Sequence, residues 1–276
     1  MTPAFQASSA LCPIYAGSER SRPELIGSGT LLDFGVARFL VTAAHVHDWY
    51  ADASAELYTF GVVDGVERDV TIPQPFLKTA LPSSGRREDD KIDFAFVRLT
   101  DLLADQIARI RYFLPFSLID VEDRLSVGSR YMFTGYPISR EKTDYGQKKV
   151  VPQAYSLTER TVGTSPMREF DFHPDTHIAV NYLRNAVKDE NGNAAHFPLA
   201  KGMSGGPVWV GDGPSEEWLK STGVRLVGIG IEDRVDAKMM VAVRIHLVTA
   251  AIGEKYPDLR NFAPRRRGFT YNFTFT

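Results

Sequence analysis

The sequence predicts a mainly β protein, built as an antiparallel barrel or sandwich. About eleven short segments, either apolar or alternating between apolar and polar residues, occur from end to end and are separated by Gly, Pro and Asp. Helical patterns are few, and strands and helices do not alternate regularly, which argues against a doubly wound parallel sheet.

The predicted strands are rich in Val, Ile, Leu and aromatic residues, which fit a pleated and partly buried surface. In chain order they cover residues 24–34, 37–46, 55–63, 66–72, 93–99, 129–137, 148–158, 177–183, 206–211, 225–231 and 238–245. Three segments instead carry apolar residues at helical spacing, namely 46–53, 100–110 and 245–256.

The last segment, residues 268–276, alternates aromatic and polar residues. This pattern predicts a strand that pairs with a sheet edge, in this chain or in a partner. A helical or irregular stretch around residues 100–128 separates two groups of strands. We therefore predict a first unit at 1–110, a second at 111–256 that ends in a helix, and a basic, aromatic tail at 257–276.

Charge and composition exclude several classes of function. The chain has 32 Lys and Arg against 34 Asp and Glu, so no strong field attracts nucleic acid or an anionic membrane. No segment approaches the roughly 18 apolar residues that a membrane-spanning helix needs. The single Cys12 cannot form an intrachain disulfide, and the N-terminal segment lacks the features of a signal peptide. We expect a cytoplasmic protein without nucleic-acid or membrane partners.

Ser204 is the candidate nucleophile. It lies in the glycine-rich segment KGMSGGPV, residues 201–208, directly before an apolar strand. Glycines beside the serine allow positive φ and bring backbone N–H groups near a reacting carbonyl, as an oxyanion hole requires. A serine hydroxyl also needs a base and a group that orients the base, so this hypothesis depends on a histidine and an acid elsewhere.

His45 and Asp93 are the candidate base and acid. In FLVTAAHV, residues 39–46, an apolar strand runs out through two small residues before His45 into a short helical segment. Asp93 stands at the mouth of the apolar strand DFAFVRL. Each of them alone also fits a purely structural role at a strand end or in a turn. His47 is a rival base, but it lacks the two small residues that precede His45.

Taken together, these segments resemble the trypsin-like (chymotrypsin-fold) serine peptidases. That family carries Thr-Ala-Ala-His, Asp-apolar-Ala-apolar-apolar and Gly-x-Ser-Gly-Gly-Pro, which stand here at Thr42–His45, Asp93–Val97 and Gly202–Pro207 in the same order. Further similar segments are Gly27–Thr30, Gly135–Pro137 and Val227–Gly230, so the resemblance spans roughly residues 25–250.

The resemblance implies a fold of two six-stranded antiparallel β-barrels with a C-terminal helix and a strand-like tail. The first barrel would carry His45 and Asp93, and the second would carry Ser204. It also implies a trypsin-like serine endopeptidase that hydrolyses a protein or peptide substrate through an acyl-enzyme. Ser204 would attack the carbonyl, His45 would accept its proton, Asp93 would orient the ring, and the N–H groups of Gly202 and Ser204 would bind the oxyanion.

Met203 departs from the family pattern. Digestive members carry Asp at this position, where it binds a new N-terminus after zymogen cleavage, so that switch cannot operate here. The residue is similar to that of the intracellular, disulfide-free branch, which implies a regulated intracellular protease, with an activating partner protein as a possible trigger.

Position after the serine predicts that Ile229, Gly230, Ile231 and Glu232 wall the primary substrate pocket, with residues 197–201 on its other side. Glu232 or Asp233 would favour Lys or Arg substrates, whereas the two isoleucines favour apolar ones, and the sequence leaves both open.

We expect no cofactor and no metal site. His173 and His177 are four residues apart, but Pro174 lies between them and no third ligand is evident. Two alternatives to a peptidase of broad activity remain. One is a latent or inactive peptidase-fold module that binds a partner protein, and the other is an effector that cuts one partner only on demand.

Overall fold

The structure, a computed structural model, describes residues 10–17, 24–51, 56–63, 66–123, 129–144, 149–185, 187–188, 193–211, 218 and 223–276. Most of the described strands belong to two curled sheets, which confirms the mainly β fold with a C-terminal helix.

The first sheet contains eight described strands. They are β1 (Leu11–Gly17), β2 (Glu24–Asp33), β3 (Arg38–Thr42), β4 (Glu56–Val63), β5 (Val66–Thr71), β6 (Leu77–Lys78), β7 (Ala95–Arg98) and β8 (Leu114–Pro115). Their order is β5-β4-β1-β2-β3-β7-β6, and β8 pairs with β2 in parallel. Two strands more than the expected six are present because the two-residue strands β6 and β8 join the sheet.

The second sheet contains six described strands, β9 (Arg130–Gly135), β12 (Tyr155–Arg160), β13 (His177–Asn181), β16 (Pro207–Val210), β17 (Arg225–Arg234) and β18 (Met239–Arg244). Their order is β12-β9-β16-β17-β18-β13. An antiparallel bridge between Thr161, just after β12, and Val180 in β13 joins the two ends of this order. The six strands therefore close into a barrel.

Two small hairpins lie outside these sheets. They pair β10 (Lys142–Asp144) with β11 (Lys149–Val151), and β14 (Val187–Lys188) with β15 (Ala194–Ala195). The predicted strand at 148–158 is thus divided between β11 and β12, because Pro152 lacks the N–H that a continuous ladder would use.

Strand β1 escaped prediction from the sequence. All seven of its residues are buried, so it shows no alternation between an apolar and a polar face. A strand that is buried on both faces shows no alternation of apolar and polar residues. Pro13 also disfavours a strand assignment, because proline is rare inside strands.

Four α-helices are described, α1 (Ala44–Ala51), α2 (Asp101–Ala108), α3 (Thr164–Glu169) and α4 (Ile245–Lys255). Short 3₁₀ turns cover Arg87–Asp89, Phe116–Leu118, Ile138–Arg140 and Pro257–Leu259. Helix α2 begins where the Thr100 hydroxyl accepts the N–H of Leu103 at 3.4 Å. The longest described helix, α4, has 11 residues, and none of the described helices is long and apolar enough to cross a membrane.

The tail pairs with a sheet edge of this same chain, as its alternation predicted. Thr276 exchanges backbone hydrogen bonds with Lys78 at 3.1 and 3.3 Å, and the Ala80 N–H donates to the Thr274 carbonyl at 2.8 Å. The described strands of the first sheet lie between residues 11 and 115, and those of the second between 130 and 244. The unit boundaries at 110 and 256 stay predictions.

Candidate active site

The turn that carries Ser204 depends on glycine at two positions. Gly202 and Gly205 have φ of +95° and +90°, a conformation that side chains with a Cβ rarely adopt. A Cβ added to Gly202 would also lie 2.7 Å from the carbonyl oxygen of Tyr136. Within the turn, the N–H of Gly205 donates to the Gly230 carbonyl at 2.7 Å. The glycines therefore fix the backbone around the serine.

Buried hydroxyl groups of β2 hold this turn against the first sheet. The Ser28 hydroxyl donates to the Gly202 carbonyl at 2.8 Å, and the Thr30 hydroxyl donates to the Gly205 carbonyl at 2.9 Å. The backbone N–H of Ser28 donates to the Ser204 carbonyl at 2.9 Å. This role of Ser28 and Thr30 was not predicted from the sequence. The available signal was the segment Gly27–Thr30, one of those that resemble the peptidase family.

His45 and Asp93 form a hydrogen-bonded pair. Asp93 Oδ1 accepts the backbone N–H of His45 at 2.9 Å, and Asp93 Oδ2 lies 2.5 Å from His45 Nδ1. The Asp93 side chain is 7% exposed and the His45 side chain 41% exposed. One carboxylate thus fixes both the backbone and the ring of His45, and it leaves Nε2 available to a further partner.

Burial and the Asp93 carboxylate shift the pKa of His45 in opposite directions. Burial opposes protonation of the ring, but the neighbouring Asp93 carboxylate outweighs it and raises the pKa of His45 above its usual value. His47, the rival base, packs against Phe76 with ring centroids 5.3 Å apart. Burial lowers the pKa of His47.

A cleft of about 1000 Å³ brings the predicted site residues together. His45, Asp93, Gly202 and Ser204 all line it, whereas His47 is not part of its lining. The Ser204 hydroxyl donates to the Ile231 carbonyl at 3.1 Å. Within the described residues no hydrogen bond joins it to the His45 ring. Proton transfer therefore requires the hydroxyl to exchange Ile231 for the imidazole.

The backbone N–H groups of Gly202 and Ser204 donate no hydrogen bond to any other described residue. Both residues line the cleft. Two free backbone N–H groups in the turn that carries the serine can receive developing negative charge on a bound carbonyl oxygen.

A second, much smaller cavity of about 10 Å³ adjoins Ser204. Gly230, Ile231 and Glu232, which the sequence analysis assigned to the substrate pocket, line this cavity, and Ala200 lines it as well. Ile229 lines neither cavity and is fully buried in the core. The sequence expectation differs here because a β-bulge between Gly230 and Glu232 interrupts the alternation of β17.

The wall of the large cleft is acidic. Eight of its lining residues are Asp or Glu and three are Lys or Arg, so a bound peptide with positive charge would be attracted. Glu232 forms an ion pair with Arg234 at 3.0 Å. Burial raises the pKa of Glu232 and of Asp233, which lie beside both cavities.

His173 and His177, considered above as metal ligands, form hydrogen bonds with the backbone of neighbouring segments. Nδ1 of His177 accepts the backbone N–H of His173 at 3.2 Å, and its Nε2 donates to the Lys91 carbonyl at 2.6 Å. Among the described residues, no three His, Cys, Asp or Glu side chains are grouped so that they could hold a metal ion.

Among known proteins, only solved structures show a similarity to this chain. No family model matches the chain, and no curated protein does. Among solved structures, the chain is similar to neuropsin, a serine protease expressed in the limbic system of mouse brain. The TM-score is 0.55, with 16% identity over 92% of this chain and 96% of neuropsin.

The fold is that of the trypsin-like serine proteases. At 16% identity this similarity concerns the fold alone. Within this fold Met203 is 4% exposed and belongs to the same apolar cluster as Phe133 and Ala200. The Ser204 turn is thus anchored by apolar packing and by Ser28 and Thr30, without a carboxylate at position 203.

Proposed function

We propose that this chain is a serine endopeptidase that hydrolyses peptide bonds through an acyl-enzyme. The observation that carries the proposal is the grouping of Ser204, the His45–Asp93 pair and two free amides in one cleft. A nucleophile, an oriented base and an oxyanion site within one cleft are the requirements of acyl transfer.

In the proposed reaction, Ser204 Oγ attacks the substrate carbonyl while His45 Nε2 takes its proton. Asp93 holds the ring in the tautomer that leaves Nε2 free, and it stabilises the imidazolium that forms. The N–H groups of Gly202 and Ser204 bind the oxyanion. His45 then protonates the leaving amine, and water, activated by the same histidine, hydrolyses the acyl-enzyme.

The size of the small cavity and the charge of the large cleft favour particular peptide substrates. The cavity of about 10 Å³ beside Ser204 has room for about one water molecule, so we propose Gly, Ala or Ser at the residue before the cut bond. The acidic lining of the cleft favours basic residues at other positions of the peptide. The sequence left Lys or Arg and apolar residues both open at the primary pocket, and the present proposal places basic residues elsewhere along the peptide.

A latent module that binds a partner protein is the second candidate function. The contact between the Ser204 hydroxyl and Ile231 favours it, because the nucleophile has no hydrogen bond to His45 in this conformation. An activating partner would then act by releasing Ser204 from Ile231.

We also propose an intracellular, cytoplasmic location. Cys12 is buried and has no disulfide, and burial raises the pKa of its thiol to about 12. A trypsin-like fold whose single cysteine forms no disulfide suits a reducing compartment.

The deciding experiment is covalent labelling of the purified protein by a fluorophosphonate probe. Wild-type protein should be labelled, while Ser204→Ala and His45→Ala should not, and peptide turnover should fall by about 10⁶-fold in Ser204→Ala. His47→Ala is the matched control, because it removes a histidine from the same helix and should keep labelling. A peptide library then tests the preference for small residues at the cut.

Each result separates the candidates. Labelling of wild type that persists in Ser204→Ala would refute the assigned nucleophile. Labelling only after a partner protein is added would support the latent module, and cleavage mainly after Lys or Arg would contradict the assigned pocket.

A further inference from the structure

The cleft contains a buried arginine, Arg87, that the proposed reaction does not use. Its side chain is 9% exposed, and it lines the cleft beside His45 and Asp93. A fully charged group in this position needs compensating partners, since an unpaired buried charge is strongly unfavourable. Its hydrogen-bond partners are Asp48, Asp90 and Thr79, and their places in the fold indicate the role of the arginine.

One partner lies on the helix that carries the base. Arg87 Nε donates to Asp48 Oδ2 at 2.7 Å. Asp48 follows His45 by three residues on helix α1, so the two side chains share one face of the helix. The other oxygen of Asp48 accepts from Lys78 Nζ. Helix α1 is thereby attached to two cations from outside the helix.

The other partners lie on the segment that leads to the acid. Arg87 Nη1 donates to Asp90 Oδ2 at 2.5 Å and to the Thr79 carbonyl at 2.9 Å. Asp90 Oδ1 accepts the backbone N–H of Ile92 at 3.0 Å, and the N–H of Thr79 donates to the Phe94 carbonyl at 3.1 Å. Both contacts touch the immediate neighbours of Asp93.

We propose that Arg87 is a positioning residue, whose guanidinium fastens the helix that carries His45 to the loop that carries Asp93. This proposal rests on the proposed function. The His45–Asp93 hydrogen bonds join the same two segments, and the Asp48–Arg87–Asp90 bridge joins them a second time, three residues away on each side. Charge-assisted bonds from a planar fork fix orientation as well as distance.

The test compares four proteins, namely wild type, Arg87→Met, Arg87→Lys and Arg86→Met. Arg86→Met is the matched control, because Arg86 is 69% exposed and pairs with Asp89 at the surface. The second-order rate of fluorophosphonate labelling should fall by about 10²-fold in Arg87→Met, the size expected for a displaced catalytic group. Arg87→Lys should recover part of the rate, and Arg86→Met should match wild type.

A second readout does not depend on activity. The proton that His45 Nδ1 shares with Asp93 should give a downfield ¹H NMR signal, which we expect to weaken in Arg87→Met and to persist in Arg86→Met. Urea unfolding checks that every variant is folded. If Arg87→Met does not fold, Asp48→Ala keeps the arginine and removes its partner on the helix together with the Lys78 contact, and it should weaken the same signal.

The outcomes separate the two proposals. A wild-type protein that resists labelling would contradict the peptidase function, while the NMR signal would still decide the role of Arg87. A folded Arg87→Met that labels at the wild-type rate and keeps the signal would overturn the positioning role.

Discussion

At the scale of single residues, backbone conformation at glycine limits what the Ser204 turn tolerates. Gly202 and Gly35 both have positive φ, +95° and +83°. A Cβ on Gly35 would meet nothing within 4 Å, whereas one on Gly202 would meet the carbonyl oxygen of Tyr136. The pair therefore separates the cost of positive φ from the cost of crowding.

We predict that Gly35→Ala lowers the free energy of unfolding by about 1–2 kcal/mol, the cost of left-handed backbone for an L-residue. Gly202→Ala should cost about 1–3 kcal/mol more, because the added methyl displaces neighbouring backbone. Urea denaturation measures both values. Equal losses in the two variants would show that the turn has room for a side chain.

At the scale of elements, the tail is held by one face of an alternating strand. Phe273 contacts Phe94 with ring centroids 6.1 Å apart, and Phe275 contacts Phe96 at 5.7 Å. Thr274 and Thr276 between and after them are exposed. Since Phe94 and Phe96 lie one and three residues after Asp93, the tail covers the segment that carries the acid.

We predict that Phe273→Ala lowers the free energy of unfolding by about 1–3 kcal/mol, less than for a fully buried Phe because the ring is only partly buried. Thr274→Ala, its matched neighbour on the outward face, should change stability by less than about 0.5 kcal/mol. Urea denaturation of both variants checks the contrast. A neutral Phe273→Ala would mean that the tail contributes little to the fold.

At the scale of the whole molecule, His177 joins the second barrel to the first. It lies in β13 and donates to the Lys91 carbonyl, two residues before Asp93. Burial lowers the pKa of His177 to about 4. The unfolded chain binds a proton near pH 6.5, and the folded chain does so only near pH 4. Stability is therefore complete above pH 6.5 and decreases as the pH falls between these values.

We predict that His177 removes about 2 kcal/mol of stability between pH 7 and pH 5. His177→Gln retains a donor but cannot titrate, so it should lose less stability over this interval than wild type. The exposed His196, substituted as His196→Gln, is the control. Urea denaturation at both pH values measures the difference, and an unchanged pH dependence in His177→Gln would contradict the assignment.

The sequence by itself determined the mainly β fold, the strand-like tail and the candidate residues His45, Asp93 and Ser204. Periodicity and glycine patterns are local, and these three residues stand in short segments that resemble a known family. The tertiary structure decided which groups surround them. Ser28 and Arg87 act through partners on other segments, up to 174 residues away for Ser28 and Gly202. A bulge in β17, where it pairs with β18, decided which of its residues line the small cavity beside Ser204. Contacts and pairings between separate segments leave no local periodic signal.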